Sequence, residues 1–235
     1  MSNDAAAPAS GKFGDLKTRL ISAFAIAAIA LLCIWLGGWW IAALAMLAMT
    51  AMIRELWVMV MHGDGPTPGA KRVLSLGILY IVLAGLAFIW LRGQEPYGFL
   101  SILWAAFVVT AADVGGYFAG RIIGGPKLWP AISPKKTWAG MGGGVALAFV
   151  IGGLFSWATT GTYFIQVCIV SMIAAVVSQA GDLAESALKR HFAVKDASAL
   201  IPGHGGVLDR LDGHMAAILV AAAFTAWRDQ AVFIW

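Results

Sequence analysis

Asp182, Glu185, Ser186 and Lys189 are spaced i, i+3, i+4 and i+7, so a continuing helix puts two carboxylates, a hydroxyl and an ammonium on one stripe. Two carboxylates on one stripe can hold a divalent cation through oxygen ligands. The same residues also suit an exposed juxtamembrane helix with a Glu185–Lys189 pair. A second acidic pair, Asp209 and Asp212, lies about one turn apart where a later helix begins, with Arg210 between them. One aspartate there would cap the helix and complement its dipole. The second, beside an arginine and after a glycine turn, points to metal and phosphate. That turn, Ile201-Pro202-Gly203-His204-Gly205-Gly206, lacks the GxxxxGK[ST] phosphate loop, but its glycines let backbone N–H groups close on an anion. His204 could touch a phosphate or simply close the turn.

Upstream, Asp113 is followed by Gly116, Tyr117, Gly120 and Arg121, and then by Ser133-Pro134-Lys135-Lys136-Thr137. Asp113 sits in an apolar stretch, where an ionisable group costs roughly 2–4 kcal/mol near a bilayer centre and marks function. It needs a partner or a water-filled cavity. Arg121, two helical turns on, is a partner only if the chain folds back. Lys135 and Lys136, after a helix-stopping proline, form a compact cationic point for a polyanion, whereas Lys127 reads as a membrane-side anchor.

These groups stand out against an apolar chain. Residues 181–214 hold five of twelve acidic residues and three of four histidines, in a sequence 60% hydrophobic and 12% charged. Soluble domains carry about 25% charge, and the mean hydropathy here is +0.83. Apolar runs at about 20–36, 39–60, 73–91, 97–118, 141–159, 163–182 and 213–234 predict an all-α, polytopic transmembrane helix bundle of about seven spans. The amphipathic 113–124 stretch could add one more element. With the N-terminus in the cytoplasm, only Arg92 and Arg228 of the sixteen Lys and Arg fall outside, the bias that sets orientation. Loops 121–140 and 183–212 then share the cytoplasmic face.

The expected organisation is a cytoplasmic tail over 1–19 and a single integral membrane domain over 20–235, with no cleaved signal peptide. Cys33 and Cys168, each inside an apolar run, read as small core residues. The net charge of +4 suits anionic headgroups and phosphorylated substrates, and the basic residues are too scattered for nucleic acid. An ion or solute transporter with a carboxylate relay is the alternative. Its polar groups would spread across the midplane, whereas these crowd one face.

The string Ser186…Lys189-Arg190…Lys195-Asp196…His204-Gly205-Gly206…Asp209-Arg210-Leu211-Asp212 closely resembles the signature of the phosphatidate cytidylyltransferases (CDP-diacylglycerol synthases). The Asp113–Arg121 and Ser133–Thr137 segments resemble that family's upstream motifs, in the same order. The pattern departs at Ala139, where the family usually has Glu, and at Gly213, where Ser often follows the last Asp. The N-terminal half is a span or two shorter.

The resemblance implies an integral membrane enzyme of the bacterial inner membrane, its site facing the cytoplasm, that condenses CTP with phosphatidic acid to CDP-diacylglycerol and pyrophosphate. It also implies Mg²⁺, room for a second, monovalent ion, and a homodimer within the lipid bilayer. Metal would be held by Asp182 and Asp209, with Glu185 and Asp212 behind them or as alternate ligands. Lys135, Lys136, Lys189, Arg190 and Arg210 would balance phosphate charge. Asp113, Arg121, Ser133, Thr137, Ser186, Lys195, Asp196, His204, Gly205 and Gly206 complete the expected substrate-binding set.

Overall fold

The computed structural model describes residues 12–61, 67–198, 200–201 and 205–234, with side chains from residue 20 onward. Residues 1–11 of the expected tail, and His204, lie outside the described residues. Helices form at all seven apolar runs: α1 (Lys12–Leu36), α2 (Gly38–Met61), α3 (Pro68–Arg92), α4 (Gly98–Ile122), α5 (Trp138–Thr159), α6 (Phe164–His191) and α7 (Leu208–Arg228). Five of them, α2 to α6, are long and apolar enough to cross a membrane, and the apolar part of α1, Leu20–Leu36, is shorter. α7 opens with Asp209, Arg210, Asp212 and His214 in its first two turns. The architecture is the all-α bundle of a polytopic membrane protein. Phe24, Leu47, Leu76 and Trp157 stand exposed on its outside, where lipid tails as apolar as leucine would meet them.

Two boundaries differ from expectation, and both matter for the site. α4 runs unbroken through Ile122, so residues 113–122 are its last turns rather than a separate element. α6 continues past its apolar part to His191, which carries the Asp182–Lys189 stripe on a rigid rod. The 121–140 connection also contains an antiparallel ribbon of β1 (Lys127–Trp129) and β2 (Ser133–Thr137), pairing Lys127 with Thr137 and Trp129 with Ser133. Pro134 is tolerated there because a two-stranded ribbon is all edge.

Local chemistry explains how the elements are set. Thr67 caps α3, its Oγ1 accepting the Ala70 N–H at 3.2 Å, and Pro68 follows at the first helical position. Thr137 ends β2 and caps α5, accepting the Gly140 N–H at 3.0 Å. This fixes Lys135 and Lys136 immediately before a helix. α4 and α5 pack so closely that a Cβ on Gly115 would sit 2.5 Å from the Gly143 carbonyl oxygen. Small residues allow that approach between membrane helices. One apolar core gathers Trp104, Val108, Ala148, Val170 and Phe233 from α4, α5, α6 and the chain after α7. Trp104 stays satisfied inside it by donating to Ser171 Oγ at 2.8 Å. A second core gathers Met52, Leu56, Ile81, Leu208 and Met215 from α2, α3 and α7.

Candidate functional site

The i, i+3 spacing on α6 turns Asp182 and Glu185 to one side, and α7 crosses there with Asp212. Ligand-capable oxygens of these three carboxylates lie within 4.8 Å of one another. Each has a different electrostatic setting. Asp182 Oδ2 lies 2.5 Å from Lys136 Nζ, with both side chains partly exposed. Asp182 Oδ1 accepts from Ser186 Oγ at 3.4 Å. Lys136 Nζ also reaches the Gln179 carbonyl oxygen at 3.4 Å. Glu185 is buried, and its Oε2 lies 2.6 Å from Lys189 Nζ. Its Oε1 has no partner among the described residues. Asp212 Oδ1 accepts the neighbouring Gly213 N–H at 2.7 Å.

A buried carboxylate oxygen without a donor costs free energy unless a cation serves it. Three carboxylates at this spacing are hard oxygen ligands suited to Mg²⁺. The residues therefore fit the divalent ion.

Asp209, expected beside Asp182, turns instead to the loop. Its carboxylate accepts from Lys189 Nζ at 2.9 Å, from the Ala197 N–H at 3.0 and 3.2 Å, and from the Gly206 N–H at 2.8 Å. Ala197 and Gly206 belong to the connection before α7, so this carboxylate ties that connection to Lys189 of α6 and does not perform the helix capping expected of one of the two aspartates. Burial opposes charge on Asp209, but its side-chain contact with Glu185 and the hydrogen bonds from Lys189 and the Gly206 N–H outweigh it and hold the carboxyl below its usual range. Asp212, also outside the five apolar spans, behaves in the opposite way. Burial, and then the charge of Asp182, push it up to about 7 against the pull of the Gly213 N–H and Lys189.

The upstream segments arrive from the other side. Asp113 faces a cleft of about 400 Å³ whose walls include Arg121, Lys135, Lys136, Thr137 and Gln179. Asp113 has Asp182 and Lys136 as its charged neighbours. Arg121 is not its partner: on the continuous α4 helix it donates to Tyr117 Oη at 2.8 Å and lies 5.9 Å over that ring. Ser133 is half-buried in β2 and Lys135 is exposed.

A second cleft, about 350 Å³, opens between α2, α3, α6 and α7. Its walls are mostly Leu56, Val73, Leu76, Ile81, Leu188 and Met215, with Tyr80 on one side and Glu185 and Asp212 at the polar end. Two of the three carboxylates, Glu185 and Asp212, thus line the apolar cleft, and the third, Asp182, is paired with Lys136 of the cationic one.

The remaining expected residues lie around the α6–α7 connection. Arg190, Lys195, Asp196 and Arg210 are exposed. Gly205, at φ 85°, bridges to Ile201, whose N–H donates to its carbonyl at 2.9 Å. Gly206 gives its N–H to Asp209.

Two residues of the site escaped the sequence reading. Gln179 is 7% exposed, lines the cationic cleft, and its amide nitrogen has no partner among the described residues. Glu55 of α2 is 1% exposed. It accepts from Ser198 Oγ at 2.6 Å, the Val207 N–H at 3.0 Å and the Leu208 N–H at 2.8 Å. An acid isolated in an apolar, methionine-rich helix was the available signal, the same one that drew attention to Asp113.

Residues 64–227 match the model of the cytidylyltransferase family. The chain belongs to the cytidylyltransferase family. A phosphatidate cytidylyltransferase of Brucella suis is 45% identical over 152 residues, covering 65% of this chain and 56% of the relative. That of Bacillus subtilis is 41% identical over 143 residues, 60% of this chain and 53% of the relative. That of Helicobacter pylori is 37% identical over 165 residues, 68% and 62% respectively. The chain thus spans a little over half the length of these relatives. The family segment contains the three gathered carboxylates, both paired lysines and Asp209, whereas Glu55 lies ahead of it.

Proposed function

We propose that the chain is a phosphatidate cytidylyltransferase, joining CTP to phosphatidic acid with release of pyrophosphate. The placement of one carboxylate group between a cationic and an apolar cleft carries the reading. It offers a polyanionic nucleotide one approach and a lipid another, with the reacting phosphates at the seam.

In the reaction, a phosphate oxygen of phosphatidic acid attacks the α-phosphorus of CTP. The bond from that phosphorus to the bridging oxygen breaks, and pyrophosphate leaves with the electron pair. Such transfer relies on positioning and charge neutralisation rather than on a covalent enzyme intermediate. The nucleophile is already ionised near neutral pH, a phosphate monoester having its second pKa near 6, so no strong base is required of the protein. Lys136 is placed to exchange Asp182 for a triphosphate oxygen, with Lys135 and Arg121 on the same wall. Asp182, Glu185 and Asp212 would hold Mg²⁺, which when bound offsets phosphate charge and polarises the phosphoryl oxygens. Lys189 and Asp209 keep Glu185 and the start of α7 in register. Tyr80 and the leucines of the apolar cleft would receive the glycerol end and acyl chains.

The bias of Lys and Arg to one set of loops supports a site on the cytoplasmic face of a bacterial inner membrane. A homodimer and a second, monovalent ion belong to the same proposal.

The test uses purified protein, phosphatidic acid vesicles, Mg²⁺ and CTP labelled at one phosphorus. Label at the α position is expected to enter lipid, and label at the γ position to leave as pyrophosphate. Lipid labelled from the γ position, or no lipid label from folded protein, would contradict the reading.

A further inference from the structure

The start of α7 has an unusual cap. Val207, the residue preceding the helix, supplies no side-chain hydrogen bond to it. The first N–H groups are instead taken by Glu55, a residue of α2 more than 150 positions away. Its Oε1 accepts from Val207 N at 3.0 Å and from Ser198 Oγ at 2.6 Å, and its Oε2 accepts from Leu208 N at 2.8 Å. An anion at a helix N-terminus meets unsatisfied N–H groups and the positive end of the dipole. The chain leaves room for it, since a Cβ on Gly206 would lie 2.8–2.9 Å from the Glu55 carboxylate. Ser198, which also accepts the Leu200 N–H at 3.1 Å, ties the middle of the connection to the same carboxylate.

We infer that Glu55 is a positioning residue for the metal-binding carboxylates: it grips the middle and the α7 end of the α6–α7 connection and thereby sets where α7 presents Asp212. Asp209, one residue beyond Leu208, is placed by the same grip and passes it to Lys189 and Glu185. Glu55 touches none of the three gathered carboxylates, so its effect runs through the backbone of α7. Leu56, next in sequence, lines the apolar cleft. One turn of α2 therefore both walls that cleft and orients α7.

The inference rests on the metal reading of the carboxylate group, and its test is read on the metal itself. Mn²⁺ binding to the full chain in detergent is followed by electron paramagnetic resonance, alongside CTP-dependent activity. Glu55→Gln keeps the shape but turns an N–H₂ toward an N–H it should accept from. It is expected to weaken Mn²⁺ binding by about 10–100-fold, the usual loss when an outer-shell partner of a metal site is removed. Activity is expected to return toward wild type as metal is raised, with KM for CTP at saturating metal little changed. Glu55→Asp, which keeps the charge on a shorter arm, should recover part of the affinity.

A purely structural role would lower the yield or melting temperature of Glu55→Gln and leave the Mn²⁺ affinity of the folded fraction unchanged. That result, or no Mn²⁺ uptake by either wild type or variant, overturns the inference. Should Glu55→Gln fail to fold, Ser198→Ala decides: several-fold weaker Mn²⁺ binding supports the grip, and unchanged binding removes it. A wild type that binds Mn²⁺ and makes no CDP-diacylglycerol would sink the substrate reading while leaving the role of Glu55 standing.

Discussion

The two clefts beside the carboxylate group are similar in size and opposite in character. The one walled by α4, β2, α5 and α6 offers Arg121, Lys135, Lys136, Asp113 and Gln179. The one walled by α2, α3, α6 and α7 offers hydrocarbon until it reaches Tyr80, Glu185 and Asp212. Only α6 borders both, showing Gln179 to the first cleft and Gly181, Ala184, Glu185 and Leu188 to the second. In the proposed reaction, a single polar stripe on one helix would stand between the nucleotide and the lipid.

The lysines divide in the same way. Lys136 lines the cationic cleft and holds one partly exposed carboxylate, with side chains 24% and 34% exposed. Lys189 lines neither cleft and lies between two buried carboxylates, Glu185 and Asp209, at 6% and 8% exposure. One lysine lines an open cleft and the other is built into the packing of α6 against α7.

The largest effect should come from breaking the buried side. Lys189→Met leaves two carboxylates without their cation and is expected to cost about 3–5 kcal/mol in reversible unfolding. Lys136→Met, on the exposed pair, is expected to cost no more than about 1 kcal/mol. Equal costs would erase the distinction between the two lysines. Next is the seam itself. Asp212→Asn should lower turnover on the order of 100-fold or more with the fold intact if Asp212 is the direct ligand proposed, since even outer-shell losses reach about 100-fold.

A pH series sharpens the same point. Asp212 is held up to about 7, so protons compete with metal in the neutral range. Mn²⁺ affinity should fall as pH drops below 7, by about tenfold per unit if this single proton competes. Asp212→Asn should make this dependence shallower. A flat profile in the wild type would mean that Asp212 does not bind the ion.

Much of this was legible in the sequence because its signals were local. Apolar run lengths predicted seven helices, and the i, i+3 spacing predicted that Asp182 and Glu185 share a face. What stayed hidden was set by contacts between distant segments. Whether Asp209 or Asp212 joins Asp182 depends on where α7 begins, and that is decided by Glu55 in α2, about 150 residues earlier. Arg121 appeared as a partner for Asp113 only while α4 was free to fold back, and the unbroken helix removes that option. The β1–β2 ribbon was invisible because Pro134 reads as a helix stop, which a two-residue strand pairing also satisfies.

The claim at the centre is that one carboxylate group serves two clefts with different substrates. It is tested most directly by measuring KM for CTP and for phosphatidic acid in one variant of each cleft. Lys136→Met removes a charge-assisted hydrogen bond and should raise KM for CTP about tenfold. Gly77→Val narrows the apolar cleft, a Cβ there already lying 2.5 Å from Leu56 Cδ2, and should raise KM for phosphatidic acid several-fold. Each variant should leave the other substrate's KM nearly unchanged. If both variants shifted both values together, or each shifted the other's substrate, the two-cleft account would be contradicted.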